Sequence, residues 1–348
     1  MDGRTKRRAV IPGDRTDPRS LAALIAAYLE WLRVHNYAET TVANREKGLR
    51  AFATWCDYRA IARPTEVTRP MLERYQRWLY HYRKADGRPL SFRSQSLRLI
   101  DVRGFFKWLT RHNHIPANPA SDLELPKNEL RLPKHVLTAA EAEQVLAQPD
   151  VSDPMGLRDR AILETFYSTG MRRSELVRLG VFDVDPERGL VTIRQGKGKK
   201  DRIIPIGKRA VAWTERYTGE VRPRYVVEPD PGALFLSRFG GPIEAGWLGA
   251  TVRQYIERAE LGKRGSCHLF RHTLATLMLE NGADIRFIQQ MLGHATVKST
   301  EVYLQVSVRK LKEVHTETHP GNRERRATTE PEAVDDAIAR RSSFLFSC

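Results

Sequence analysis

The stretch from His268 to Tyr303 constrains this chain more than any other, because it joins two histidine-bearing motifs to an arginine and a tyrosine. His268, Arg271 and His272 form an H-x-x-R-H pattern at the start of a run with the apolar period of a helix. Side chains three positions apart share one helix face. We therefore expect His268 and Arg271 to converge on one target.

A second, shorter helix is predicted between this first helix and His294. An Asn-Gly pair ends the first helix, Asp284 caps the second, and Gly293 ends it. His294 directly follows that glycine, at a helix end where a side chain can project into a cleft. Tyr303 lies a few residues further along the chain.

Arginine, histidine and tyrosine occur together here without a nearby carboxylate cluster and without metal-ligand spacing. Arginine binds phosphate through a fork of donors that keeps its proton, histidine exchanges a proton near neutral pH, and tyrosine can act as a covalent nucleophile. Alone, a histidine after a helix-ending glycine is usually a cap, and a single tyrosine usually packs in a core. The combination favours attack on a phosphodiester without a metal.

The charge balance indicates a polyanionic partner. The chain has 348 residues, enough for two domains of ~100–200 residues each. Lys and Arg number 58 against 42 Asp and Glu, which gives a net charge of +16 at pH 7. Such a surplus most often marks a nucleic-acid-binding protein, and a merely basic protein is the alternative.

Cysteine usage and hydropathy exclude several classes. Cys56, Cys267 and Cys348 are too few and too scattered for a disulfide framework or a zinc site. No apolar run reaches the ~18 residues of a membrane-spanning helix, and no apolar core follows the basic N-terminal residues as in a secretory signal. We therefore expect a cytoplasmic protein with no membrane partner.

The distribution of prolines, charges and apolar residues predicts two domains. The predicted segments are a flexible N-terminus (1–17), a helical domain (18–125), a linker (126–136), a second domain (137–319) and a polar tail (320–348).

Residues 18–125 have the apolar period of a bundle of four or five helices. The first helix is expected to open at Asp17-Pro18, and Thr40 or Thr41 to cap the second. The fourth is expected from about Ser91 to Leu109, with Leu97, Ile100, Phe105 and Trp108 as its apolar residues. Basic residues on the outer faces of the bundle are candidates for phosphate contacts. They are Arg45, Lys47, Arg50, Arg93, Arg98, Arg103 and Lys107.

In the second domain, two motifs carry further basic residues. Gly170 is predicted to break a helix just before another begins, which places Arg172 at the junction. Residues 190–193 alternate like a strand, and 203–206 are predicted to pair with it. Lys197 lies at the tip of the glycine-bearing turn between them. A lysine in such a turn is usually solvated, and a basic loop aimed at DNA is the functional alternative.

Four blocks of the second domain resemble, in order, those of the tyrosine recombinases (the phage integrase family), most closely the Xer-type members. They are TGMRRSEL (169–176), GKGKKDRIIPI (196–206), HLFRHTLAT (268–276) and MLGHATVKSTEVY (291–303). The helical domain, with YLEWLRVHNYAETTVANREKGLRAF near its start, is similar to the SAM-like core-binding domain of the family. The resemblance implies a mainly α fold with a small β-hairpin or sheet in the catalytic domain, and two domains that clamp DNA.

The resemblance also implies residue roles, each at a position that holds the residue preferred by the family. Tyr303 would be the nucleophile, and the other catalytic residues would be Arg172, Lys197, His268, Arg271 and His294. Glu175 would orient a neighbouring basic group, whereas His272 would pack or brace. The implied reaction is site-specific recombination through a 3′-phosphotyrosine intermediate, with no metal, ATP or other cofactor.

The implied partner is double-stranded DNA with a specific recombination site. Strand exchange between two duplexes implies a tetramer on the DNA, with the segment after Tyr303 docked on a neighbouring protomer and a paralogous recombinase as a further candidate partner. DNA as substrate implies a nucleoid-associated protein. Two alternatives remain at this point: an enzyme like the type IB topoisomerases that relaxes DNA, and a DNA-binding accessory protein without catalysis.

Overall fold

Helices make up most of the computed structural model, which describes residues 10–127, 135–194 and 201–293. Within these ranges the strands form one three-stranded sheet. The chain divides into two compact units, Met1–Leu130 and Arg131–Cys348. The prediction of a mainly α fold with a small sheet is confirmed.

The first unit is a helical bundle. Its helices are α1 (Leu21–Val34), α2 (Glu39–Asp57), α3 (Arg69–His81) and α4 (Phe92–Arg111), with a short 3-10 turn at Pro64–Glu66. Buried aromatic side chains, among them Phe52, Tyr75, Phe105 and Phe106, fill the space between the helices.

Two helix starts differ from the prediction. Helix α1 opens at Leu21 rather than at Asp17-Pro18, because the Ser20 hydroxyl accepts a hydrogen bond from the Ala23 amide at 3.1 Å and caps the helix. Helix α2 begins after Ala38, so Thr40 and Thr41 lie in its first turn and do not cap it.

Of the four apolar residues expected on α4, Phe105 and Trp108 are buried, and the other two are exposed. Leu99, Val102 and Phe106 are buried, whereas Leu97 is 55% exposed and Ile100 is 37% exposed. Because the helical period places Leu97 and Ile100 on the opposite side from Leu99 and Val102, only one of the two apolar sets can face the core.

The second unit combines eight described helices with the small sheet. The helices are α5 (Ala139–Leu146), α6 (Pro154–Thr169), α7 (Arg173–Leu176), α8 (Lys208–Arg216), α9 (Arg222–Tyr225), α10 (Ala245–Arg258), α11 (Cys267–Glu280) and α12 (Ile285–Leu292). A π-helical turn at Tyr217–Val221 joins α8 to α9.

The sheet is antiparallel, with strands β1 (Val184–Asp185), β2 (Leu190–Ile193) and β3 (Arg202–Pro205) in that order. Strand β2 pairs with β3 so that Val191 opposes Ile204 and Ile193 opposes Arg202. This pairing confirms the predicted hairpin, and Ile206 lies just beyond its second strand.

A tight junction between α6 and α7 brings the first basic motif to α11. Gly170 ends α6 in the left-handed conformation, with φ of 58°. A Cβ there would lie 2.8 Å from a methyl group of Leu274 on α11. Glycine therefore satisfies both the backbone turn and the close packing.

Candidate active site

Arg172 lies between the Gly170 turn and α7, in extended conformation. Its Nη1 donates to Oε1 of Glu175 at 2.8 Å, and its Nη2 donates to the carbonyl oxygen of Gly293 at 2.9 Å. Its backbone N–H donates to the other carboxylate oxygen of Glu175 at 2.8 Å. Glu175, the third residue of the short α7, thus fixes both the backbone and the side chain of Arg172.

Arg271 reaches the same place from α11. It is 4% exposed, its Nη1 donates to the Gly170 carbonyl at 2.8 Å, and its Nη2 donates to the Leu292 carbonyl at 2.6 Å. Two guanidinium groups from distant segments are therefore held at consecutive carbonyl oxygens, those of Leu292 and Gly293. Arg172 and Arg271 therefore concentrate positive charge at the end of α12.

His268 lies one helical turn before Arg271 and is exposed. Partial desolvation, followed by the positive charges of Arg271, Arg173 and Arg172, lowers its pKa below the usual 6.5. Burial, with smaller contributions from His268 and Arg271, lowers the pKa of His272 to about 4. Both imidazoles are therefore mainly neutral at pH 7, and a neutral imidazole can accept a proton.

Glu175 is the buried anion of the cluster, at 2% exposure. Burial alone would raise its pKa, but hydrogen bonds from Arg202 and from the backbone of Arg172, with the charge of Arg202, lower it to about 2. Glu175 is therefore a carboxylate across the physiological range.

Arg202, which the sequence reasoning missed, is the second guanidinium on Glu175. Its two terminal nitrogens bind the two carboxylate oxygens at 2.9 and 2.8 Å. The signal was present in β3, where Arg202 is two residues from the buried Ile204 and so shares its inward face, while Ile203 is 65% exposed. A charged residue in phase with buried ones needs a buried partner.

Three of the predicted catalytic residues, Lys197, His294 and Tyr303, lie outside the described residues. The structure brings Arg172, His268 and Arg271 together, and Glu175 and His272 lie beside them.

The predicted DNA-binding residues of the first unit fall into two groups. Arg45 lies 3.3 Å from Asp101 and donates to the Ile100 carbonyl, Arg50 lies 3.8 Å from Glu46, and Arg98 lies over the Tyr82 ring. Exposed side chains form the other group, which consists of Lys47, Arg93, Arg103 and Lys107.

Metal-ligating clusters and membrane-spanning helices are both absent from the described residues. Residues 10–127, 135–194 and 201–293 contain no group of three or more His, Cys, Asp or Glu side chains placed to hold a metal ion. Among the helices in that part of the chain, none has the length and hydropathy needed to cross a bilayer.

Two arginines on one buried carboxylate, with Arg271 and a neutral histidine beside them, form a group of donors suited to an anion such as a phosphate. Two family models match the chain: the phage integrase family over residues 135–310, and the phage integrase N-terminal SAM-like domain over residues 25–113.

Individual relatives agree with these models. The chain is 45% identical over 317 residues to tyrosine recombinase XerC 2 of Ralstonia nicotianae, a match that covers 91% of each chain. It is 33% identical to tyrosine recombinase XerD of Lacticaseibacillus casei, over 85% of this chain and 98% of the other. The crystal structure of XerH site-specific recombinase in a post-cleavage complex with palindromic difH substrate shares the fold, with a TM-score of 0.66, 23% identity and coverage of 84% and 83%.

The chain belongs to the phage integrase family, the tyrosine recombinases, and within it to the Xer type. It is a site-specific DNA recombinase, an enzyme that cleaves and rejoins DNA. The matches do not favour a topoisomerase-like enzyme or a non-catalytic accessory protein.

Proposed function

We propose that this recombinase cuts DNA by attack of the Tyr303 hydroxyl on the scissile phosphate, which gives a 3′-phosphotyrosine link and a free 5′-hydroxyl. One observation carries the proposal: Arg172 and Arg271 are held at consecutive carbonyls of the turn that leads directly to His294. Guanidinium groups fixed in this way are suited to the non-bridging oxygens, whose charge grows in the transition state.

The other basic residues would handle protons. His268 accepts the proton of the Tyr303 hydroxyl, which its lowered pKa permits at neutral pH. Lys197 is the general acid for the leaving 5′-oxygen, and His294 donates a hydrogen bond to the phosphate. Because the protein–DNA link conserves the phosphodiester energy, rejoining to another strand needs neither ATP nor metal.

The first unit would supply phosphate contacts and hold the duplex. Lys47, Arg93, Arg103 and Lys107 are exposed on α2 and α4 and carry this role most directly. Both units would contact one duplex around a specific recombination site. An enzyme with this substrate acts where the DNA is, which supports association with the nucleoid.

Strand exchange needs several active sites on two duplexes. We propose a tetramer on DNA, in which the segment after Tyr303 docks on a neighbouring protomer. The protomers would be copies of this chain or copies with a paralogous recombinase.

The test is covalent capture on a DNA substrate with a nick near the cleavage point, so that the released fragment diffuses away and the adduct accumulates. The wild-type chain should give a protein–DNA adduct, and Tyr303→Phe should give none while it binds the duplex with near-wild-type affinity. Tyr58→Phe is the control, because Tyr58 is 84% exposed in the first unit. An adduct from Tyr303→Phe would exclude Tyr303 as the nucleophile.

A further inference from the structure

Arg202 connects three segments of the second unit through one side chain. From β3, its terminal nitrogens bind both oxygens of Glu175 on α7. Its Nε donates to the carbonyl of Met291, in the last turn of α12, at 3.3 Å. Only 14% of the side chain is exposed. A guanidinium used through three nitrogens on two fixed acceptors has little freedom to move.

Gly293 leaves room for the Arg202 guanidinium beside the end of α12. Its φ is 62°, and a Cβ at this position would lie 3.0 Å from Nε of Arg202. The absent side chain lets the Arg202 guanidinium lie against the turn whose carbonyl accepts a hydrogen bond from Arg172. Arg172 and Arg202 therefore both bind the end of α12, Arg172 through the Gly293 carbonyl and Arg202 through the Met291 carbonyl.

The charges show what Arg202 adds to the pair of Arg172 and Glu175. Glu175 and Arg172 alone would form a neutral pair, and a neutral pair has little attraction for a phosphate. With Arg202 the group of three carries a net charge of about +1. Arg202 also takes a bidentate position on the carboxylate, so that the Arg172 side chain binds Glu175 through Nη1 while its Nη2 reaches the Gly293 turn.

We infer that Arg202 is a positioning residue for strand cleavage: it neutralises Glu175 and anchors the end of α12, so that the Arg172 guanidinium stays placed and charged for the scissile phosphate. The inference rests on the proposed role of Arg172. It assigns Arg202 no contact with the DNA. The same anchor fixes the turn immediately before His294.

The test is a double-mutant cycle on the full-length chain, with the single-turnover rate of adduct formation at saturating protein as the readout. Arg202→Gln should slow cleavage on the order of 10²-fold, as misplacement of a catalytic group does, while duplex affinity changes little. Glu175→Gln in the same chain removes the charge that Arg202 neutralises. The double variant should therefore cleave faster than Arg202→Gln alone, a rescue that loss of a structural contact does not produce.

Arg222 provides the matched control. It too is buried, binds both oxygens of one carboxylate (Asp230, at 3.0 and 2.7 Å) and donates from Nε to a carbonyl (Ala233, at 3.0 Å). Arg222→Gln should lower the unfolding temperature and leave the cleavage rate of the folded protein near wild type. This variant separates the effect of losing any buried arginine from the effect of losing Arg202.

Each outcome decides the matter. The inference is overturned if Arg202→Gln cleaves at the wild-type rate. It is also overturned if the double variant cleaves no faster than Arg202→Gln. If Arg202→Gln does not fold, the double variant is compared with Glu175→Gln: equal rates support the inference, and a further loss on the order of 10²-fold contradicts it. A wild-type chain that forms no adduct at all would instead overturn the proposed function.

Discussion

Two carboxylates, one in each unit, lie beside arginine with little exposure to solvent, yet their pKa values shift in opposite directions. Burial raises the pKa of Asp101 on α4 to about 7, because Arg45 offsets it only in part. Glu175 is more deeply buried, and its pKa falls to about 2. The difference lies in the donors. Nη1 of Arg45 stands 3.3 Å from Asp101 and also donates to a backbone carbonyl, whereas Glu175 receives a bidentate guanidinium, a second arginine and a backbone N–H.

An interior carboxylate therefore keeps its charge when the hydrogen bonds it accepts outweigh the cost of burial. In the second unit the charge is retained, and the carboxylate holds both Arg172 and Arg202. In the first unit Asp101 lies where α2 crosses α4, and a side chain at Gly48 would collide with it. The close crossing shields the carboxylate from solvent, and Nη1 of Arg45 lies 3.3 Å from it.

The largest expected effect is on the cleavage rate and comes from removing Arg172, which binds Glu175. Arg172→Ala should reduce the single-turnover cleavage rate by about 10³-fold, because a fixed donor to the transition-state oxygens is lost. Duplex affinity, measured by fluorescence anisotropy, should change far less. Arg216→Ala, at an exposed pair with Glu220, is the control and should cleave normally. A mild effect of Arg172→Ala would remove this residue from the catalytic set.

The second prediction concerns Glu175. A carboxyl whose folded-state pKa is lowered stabilises the fold above its unfolded pKa of about 4.3, and the stabilisation is lost as the pH falls towards about 2. Glu175→Gln should therefore lower the free energy of unfolding at pH 7 by about 2 kcal/mol. The deficit relative to wild type should shrink below pH 4, as thermal unfolding across a pH series would show. A deficit that did not depend on pH would mean that the charge is not the cause.

The third prediction has the opposite sign. Because the folded-state pKa of Asp101 is raised, the protonated form is favoured in the folded protein, and its stability falls as the pH rises from about 4 to about 7. Asp101→Asn should remove this dependence and raise the free energy of unfolding above pH 7 by on the order of 1–2 kcal/mol. If Asp101→Asn were instead destabilising at pH 8, the pair with Arg45 would be stronger than its geometry indicates.

The smallest effects are expected on the exposed face of the first unit. Lys47→Ala and Arg103→Ala should each weaken duplex binding modestly and reduce the slope of log affinity against log salt by about 0.9. Cleavage at saturating protein should stay unchanged. Unaltered salt slopes for both variants would place the phosphate contacts elsewhere.

The sequence predicted the elements that local patterns determine. The helical period placed His268 and Arg271 on one helix, Gly170 ended α6, and alternation gave the β2–β3 hairpin. The predicted cap at Thr40 or Thr41 was wrong, because α2 begins after Ala38 and has no side-chain cap, so a capping residue type near a helix start does not fix the start.

Tertiary pairing was harder to predict. Arg202 and Glu175 are 27 positions apart in the chain, and no local pattern pairs them. Leu97 and Ile100 fit the apolar period of a helix, but which apolar side faces the core depends on neighbouring helices. The domain limits and the roles of Lys197, His294 and Tyr303 stay predictions.

The most direct test of metal-free cleavage by Tyr303 is to map the residue that carries DNA after cleavage in the presence of EDTA. The trapped adduct is digested with a protease and a nuclease, and the nucleotide-bearing peptide is identified by mass spectrometry. Attack by the Tyr303 hydroxyl should give a peptide that contains Tyr303 with the phosphoryl group on its phenolic oxygen. DNA attached to any other residue, or an adduct that forms only when a divalent metal is restored, would contradict it.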